Sequence, residues 1–395
     1  MSAIPKTMRA VVYRGVNDLR LETVPVPRIR AHELLVKVAV CGVCPTDIKK
    51  IQYGTVPPPR IFGHETAGTI VRIGGGESVL TSRFKPGDRV ALHHHVPCLD
   101  CHFCRHRAFA QCETYKRTGI TAGFEPAGGG YAEYVRVMPF VLPGVVKIPA
   151  RNSFAEGALL EPVNTVLKAV RRLSLLPDDV VLVAGQGPIG LMFTRLLQLT
   201  GARVIATDLL ASRLKLAKKF GARWACLPSQ CSTLNSQLAA RGLDAAVIAV
   251  PSDAVVHQAL AWLRGGGQLM LFAHTKRSHQ AGRISPLRAA TSNPSDGAHG
   301  VTRPATLSLQ PSAFSLDLSS ICVDEKDLLG SYSSDFTLQA EVARLVFSRR
   351  LDVRPLISHF FPLEQTADAV RLASKPTAES LKILVGDEVT RLVGG

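Results

Sequence analysis

The sequence predicts an α/β protein of two domains, a β-rich first part followed by a doubly wound parallel sheet. Three observations carry this. The chain has 395 residues, too many for one compact core. Its first part, from residue 8 to about 150, is rich in Gly and Pro and holds short β-branched runs. After about residue 154, short apolar runs alternate with helical patterns.

In chain order, Met8–Tyr13, Leu34–Val40, Thr69–Ile73 and Tyr131–Val137 read as strands. Turn signals at 86–88 (PGD) and 128–130 (GGG) punctuate them. Val180–Ala184 is a continuous apolar run of the kind a strand buried on both faces shows. Ile189–Leu199 is helical by period, Arg203–Thr207 a strand and Ser212–Phe220 helical, and strands Ala245–Val250 and Gln268–Phe272 continue the series. Residues 276–313 break the rhythm. They are rich in Ser, Pro, Ala, Gly and Arg without hydrophobic period, and read as a disordered or weakly ordered insertion. An apolar run near Ile321–Val323, a strand Leu328–Tyr332, helices at Leu338–Phe347 and Glu364–Leu372 and a last strand Leu381–Val385 complete the chain, with no internal repeat.

Composition narrows the function. Hydrophobic residues are 46% and charged residues 20%, as in a soluble globular protein. The start lacks the apolar core of a secretory signal, and no uncharged apolar stretch reaches about 18 residues, so a cytoplasmic protein without a membrane span is expected. The net charge of +16 is spread along the chain without a basic stripe interleaved with aromatics. That argues against nucleic acid and for anionic cofactors or substrates. Nine cysteines in such a chain suggest metal or catalysis rather than disulfides. Of these, Cys41, Cys226, Cys231 and Cys322 read as small buried apolar residues.

Three motifs carry chemistry. Gly185, Gly187 and Gly190 form G-x-G-x-x-G, with Pro188 and Ile189 opening the helix after a buried strand. Such a turn lets backbone approach a pyrophosphate at a helix N-terminus. Asp208 ends the next strand, 18 residues after Gly190, where a carboxylate accepts from a ribose 2′-hydroxyl and favours NAD over NADP. Arg213 lies near enough to stack on adenine. Cys98, Cys101, Cys104 and Cys112 read C-x2-C-x2-C-x7-C, a closed four-thiolate structural zinc site. Cys44, His64, Glu65 and Glu161 mix sulfur, nitrogen and oxygen and can leave a position open, as catalytic zinc sites do. Zinc beside a nicotinamide implies hydride transfer from an alcohol carbon.

The segments CGVCPTDIKK (41–50), GHETAG (63–68), the cysteine lobe (98–112), LLEPVNT (159–165), VAGQGPIG (183–190) and PLISHFFPLEQ (355–365) resemble the zinc-dependent medium-chain dehydrogenases, the family of alcohol, sorbitol and threonine dehydrogenases. The resemblance spans nearly all of the chain except 276–313. It implies a GroES-like catalytic domain at 1–162, a Rossmann NAD-binding domain at 163–332 and a return to the catalytic domain at 333–395, in a homodimer or homotetramer. It implies zinc ligands at Cys44 and His64, with Cys41 a non-ligand and Glu161 where many relatives carry a Cys, as polyol and threonine enzymes do. Glu65 either completes the shell or trades places with solvent and Glu161. Thr46 resembles the hydroxyl that hands on the substrate proton, and Lys49 stands where some alcohol dehydrogenases have a relay His. Among His93, His94 and His95, His95 matches a substrate-side His of threonine-dehydrogenase-like enzymes. The expected substrate is a polyol, secondary alcohol or threonine-like hydroxy compound. The alternative is a non-catalytic NAD-binding or sensor protein impaired by 276–313, which follows the strand expected to end at the nicotinamide.

Overall fold

The computed structural model describes residues 3–76, 79–93, 96–114, 128–230, 241–273 and 317–386. The insertion expected at 276–313 lies outside them, as do His94, His95 and Cys231.

The first part pairs its β-branched runs across turns. β1 (Thr7–Gly15), β2 (Asp18–Pro25), β3 (Leu34–Gly42), β4 (Arg60–Ile61), β5 (Glu65–Ile73), β6 (Arg89–Ala91), β7 (Tyr134–Val137) and β8 (Val146–Lys147) supply two sheets. One has the order β2-β1-β4. In the other, β3 pairs antiparallel with β5 and β7, and β5 continues to β6 and β8. A buried ion pair, Arg136 Nη2 to Glu33 Oε1 at 2.5 Å, pins β7 to the start of β3. Helix α1 (Pro45–Tyr53) follows β3 and stops at Gly54, whose φ of 61° is left-handed.

The parallel sheet is built from β9 (Val180–Ala184), β10 (Arg203–Thr207), β11 (Trp224–Cys226), β12 (Leu243–Ile248), β13 (Leu263–Leu271) and β14 (Asp327–Gly330). Their spatial order is β11-β10-β9-β12-β13-β14, all parallel. The order reverses at β9, where doubly wound sheets open a crevice for a dinucleotide. Val181, Val183, Ala245 and Val247 are fully buried, as a sheet covered on both faces requires.

Helices α2 (Phe154–Ala158) and α3 (Leu160–Val170) join the two parts. A capping box starts α2: Glu156 N donates to Ser153 Oγ at 3.1 Å and Ser153 N to Glu156 Oε2 at 2.7 Å. In α3, nine of eleven residues are buried, and its Val163 and Val166 sit in one core with Val40 and Ala67 of the first part and Val181 and Phe193 of the second. The two sheets are therefore held around a shared apolar centre.

Beyond the sheet come α4 (Pro188–Leu199), α5 (Ala211–Lys219), α6 (Asp253–Trp262), α7 (Leu318–Val323), α8 (Gln339–Phe347) and α9 (Thr366–Ser374). Strands β15 (Ile357–Phe361) and β16 (Lys382–Val385) then return to the first part, Leu384 pairing with Gly42 and Val385 with Cys41. The cysteine expectation needs correcting. Cys41 is fully buried, but Cys226 is half-buried on an edge strand and Cys322 is exposed on α7, a short helix that buries none of its residues. The apolar run at Ile321–Val323 was too short to signal on which side it would lie. Among the described residues no helix is long and apolar enough to cross a membrane.

Candidate active site

The site begins where β3 ends. Cys44 caps α1, its sulfur accepting from Thr46 N at 3.5 Å, so the helix start holds the thiol at the mouth of the first part. His64 and Glu65 enter on the turn into β5. That turn needs Gly63: its φ is 98°, and a Cβ there would meet Cys41 Sγ at 2.7 Å and Tyr131 N at 2.9 Å. A Cβ on Gly42 would likewise run into the Glu65 carboxylate, 3.0 Å from its Cδ. One donor atom each from Cys44, His64 and Glu65 lies within 4.8 Å of the others. Glu161, at the start of α3, is buried nearby but stands outside that donor group.

The electrostatics are those of a buried, charge-rich pocket. His64 Nδ1 meets Asp47 Oδ1 at 3.1 Å, and Asp47 is fully buried in the first turn of α1. Burial pulls the His64 imidazole down, but Asp47 and Cys44 outweigh it and hold it well above its ordinary value. A carboxylate on one ring nitrogen orients the ring so that the other faces a metal. Burial pushes the Glu161 carboxyl up to about 7, with Glu65 and Asp47 adding to the push and His64 and Lys382 opposing it. Lys382, at the start of β16, is 5% exposed; its Nζ donates to Val43 O at 3.0 Å and pairs with Glu65. Burial lowers this ammonium, yet Glu65 and Cys44 leave it raised.

Asp47 and Lys382 belong to this pocket by their contacts with His64 and Glu65, although no sequence motif pointed to them. Tyr332 follows β14; burial raises its phenol, Cys44 raises it further, and 48% of the residue is exposed. Thr46 is half-buried, its amide donating to Cys44 Sγ. Lys49 lies one turn on, lowered by burial. The expectation for His95 falls outside the described residues.

The donors fit zinc, which takes thiolate, imidazole and carboxylate together. The cysteine lobe passes a sharper test. Cys101 Sγ lies 3.5 Å and Cys98 Sγ 3.9 Å from Cys104 Sγ, too far for a disulfide and matching the edge of about 3.8 Å that tetrahedral bonds of about 2.3 Å require. Backbone amides of Asp100 and Cys101 pull the Cys98 thiol down to about 6, which makes its thiolate accessible. Burial pushes Cys104 up to about 12.

The dinucleotide turn sits at the end of β9. Gly185 has φ 92°, and a Cβ on Gly190 would overlap the Gly185 carbonyl. Around Gly187, by contrast, nothing lies within 4 Å of a Cβ, so its missing side chain leaves open space. Gln186 is clamped beneath the turn, donating to Val183 O at 2.9 Å and accepting from Thr194 Oγ1 at 2.9 Å. Pro188 and Ile189 open α4, with Gly187 as its cap. Asp208 folds back on the turn: its Oδ2 accepts from Gln186 N at 2.7 Å and its Oδ1 from Leu210 N at 2.9 Å. Arg213 Nη1 is 3.8 Å from Asp208, and its Nη2 donates to Ser380 O at 3.3 Å.

Comparison with known proteins agrees with this geometry. Residues 30–150 match the alcohol dehydrogenase GroES-like domain and residues 188–294 the zinc-binding dehydrogenase domain. The chain is 29% identical to a sorbitol dehydrogenase of Bacillus subtilis (strain 168), over 97% of this chain and 98% of that one. It is 31% identical to D-xylulose reductase A of Aspergillus oryzae, over 68% and 76%. The solved structure of an alcohol dehydrogenase from Thermus sp. ATN1 superposes with a TM-score of 0.72 at 26% identity, covering 96% and 99%.

Proposed function

Because this chain belongs to the zinc-dependent medium-chain dehydrogenase/reductase family, we propose that it is an NAD-linked dehydrogenase of a polyol, or else of a secondary alcohol or threonine-like hydroxy compound. The observation that carries this is the group Cys44, His64 and Glu65, half-buried at the thiol and buried at the other two, one sulfur, one nitrogen and one oxygen donor within 4.8 Å of one another. Cys44 and His64 would hold a catalytic zinc, with Glu65 either completing its shell or trading places with solvent and Glu161, and Cys98, Cys101, Cys104 and Cys112 would hold a structural one. Bound there, zinc would supply the Lewis acidity that lowers the pKa of a substrate hydroxyl, and a bound nicotinamide would supply the hydride acceptor.

The chain's own residues do the rest. Thr46 takes the proton leaving the hydroxyl and passes it toward Lys49 and solvent. Asp47 holds His64 in one orientation, and Lys382 balances the charge of Glu65. Gly185, Gly187, Pro188, Ile189 and Gly190 seat the pyrophosphate on α4, and the spare lone pairs of Asp208 accept the ribose 2′-hydroxyl, which selects NAD. The pairing of β16 with β3 supports the division at 1–162, 163–332 and 333–395. Exposed Leu271 and Leu328 on β13 and β14, with Val323 at 77% exposure, support a homodimer or homotetramer formed on that sheet edge.

The test is metal analysis together with NAD-linked oxidation of a panel of sorbitol, xylitol, 2,3-butanediol and threonine. Two zincs per chain with NADH produced from a polyol support the reading. One zinc, with tight NAD binding and no turnover on any of the panel, refutes it.

A further inference from the structure

Arg213 belongs to α5 of the parallel-sheet part, yet its bonds cross to the other part. Its side chain is 17% exposed, and its guanidinium faces Asp208 at 3.8 Å and donates to Thr377 O at 3.5 Å and Ser380 O at 3.3 Å. Those carbonyls belong to a turn that is closed on itself. Thr377 N donates to Ser380 Oγ at 2.8 Å, Ser380 N to Thr377 Oγ1 at 3.2 Å, and Ser380 is 1% exposed. The turn leads directly into β16. Leu381 N donates to Ser358 Oγ at 2.7 Å, and the next residue, Lys382, reaches Val43 O and Glu65.

A contiguous run of bonded groups thus leads from Asp208, the acid beside the dinucleotide turn, through Arg213, the 377–380 turn and Lys382 to Glu65. We infer that Arg213 is a positioning residue: it ties the coenzyme half to the 377–380 turn and so holds Lys382 against Glu65. The inference rests on the zinc and coenzyme reading above. The guanidinium is suited to this because its planar fork reaches two carbonyls and a carboxylate at once, which an ammonium on a shorter stem does not. Coupling between the two pockets is reciprocal. Coenzyme seated on Asp208 orders Arg213 and tightens the metal pocket, and a filled metal pocket tightens coenzyme.

The test uses the full chain loaded with cobalt(II), whose absorption differs between a four-thiolate site and a mixed sulfur, nitrogen and oxygen site. Loss of each band to excess EDTA is followed with and without NADH. Arg213→Ala without NADH is expected to release the mixed-site metal at least about fivefold faster, the four-thiolate band being unchanged. Arg213→Lys, which keeps the charge beside Asp208, should show most of that acceleration. In the parent chain saturating NADH should slow mixed-site release by about 5- to 150-fold, and in both variants by less than about twofold, at NADH concentrations shown by fluorescence to saturate each. Equal release from parent and variants, or equal acceleration of both bands, overturns the inference. If the parent chain fails to bind NADH, the coenzyme reading falls, and the coenzyme-free comparison still decides the role of Arg213.

Discussion

Replacing Gly187 and Gly190 separately by Ala tests the dinucleotide turn, because the two glycines are small for different reasons. Gly187 has φ −67° and ψ −175°, a backbone any residue adopts, and nothing lies within 4 Å of an added Cβ. Ala there should leave the free protein as stable as before, or more stable by about 0.4–1 kcal/mol through a less flexible unfolded chain. Gly190 is pressed on the Gly185 backbone, with the carbonyl carbon 2.8 Å from an added Cβ. Ala there forces α4 away from β9, an overpacking of about 1–3 kcal/mol. Coenzyme inverts the comparison for Gly187. If its open space is where a pyrophosphate lies, a methyl group removes a similar 1–3 kcal/mol from binding, or about 5- to 150-fold in Kd at 1.4 kcal/mol per tenfold. Urea unfolding of the coenzyme-free protein and NADH fluorescence titration measure the two effects. The reasoning is wrong if Gly187→Ala binds NADH within about twofold of the parent, or if it loses free-state stability as Gly190→Ala does.

Three further outcomes are expected. Asp47→Asn leaves the donors in place but loosens the His64 ring, and should weaken zinc binding about 10- to 100-fold in chelator competition. Cys112→Ser should lower bound zinc by one per chain and leave the Cys44 site loaded, as read by elemental analysis. Glu33→Gln removes the carboxylate that faces the buried Arg136 and should cost about 3–5 kcal/mol in denaturant unfolding. Burial raises the Glu33 carboxyl, yet Arg136 and the Arg30 amide bring it below its ordinary 4.5. Its folded value is thus the lower one, so its contribution is present above about pH 4.5 and fades as pH falls through the folded value. The Glu33→Gln chain should lack that part of the acid loss.

Much of the fold was legible because the signals were local. β9 and β10 run from Val180 to Ala184 and from Arg203 to Thr207, as predicted, since the buried apolar residues at their centres leave little doubt about the strand. β7 is shorter than the predicted Tyr131–Val137 because Tyr131 and Ala132 serve β1 instead, through Val11 N to Tyr131 O at 2.8 Å and a bridge from Ala132 to Ala10. The cysteine lobe and the glycine turn were legible because their spacing is their chemistry. Asp47 was not, because an acid in the first turn of a helix reads as a partner for the helix dipole. Lys382 was not, because its carboxylate lies far away in the chain and only the pairing of β16 with β3 brings them together.

That pairing has a consequence in time. Glu65 and Lys382 are 317 residues apart, and a ribosome adds roughly 5–20 residues per second. For roughly a quarter of a minute to a minute of synthesis, then, the acid exists without the cation that balances it. A nascent chain stalled before β16 carries its Cys44, His64 and Glu65 donors in an unsealed pocket. Metal offered during that interval meets a wetter, more accessible site than the finished protein presents.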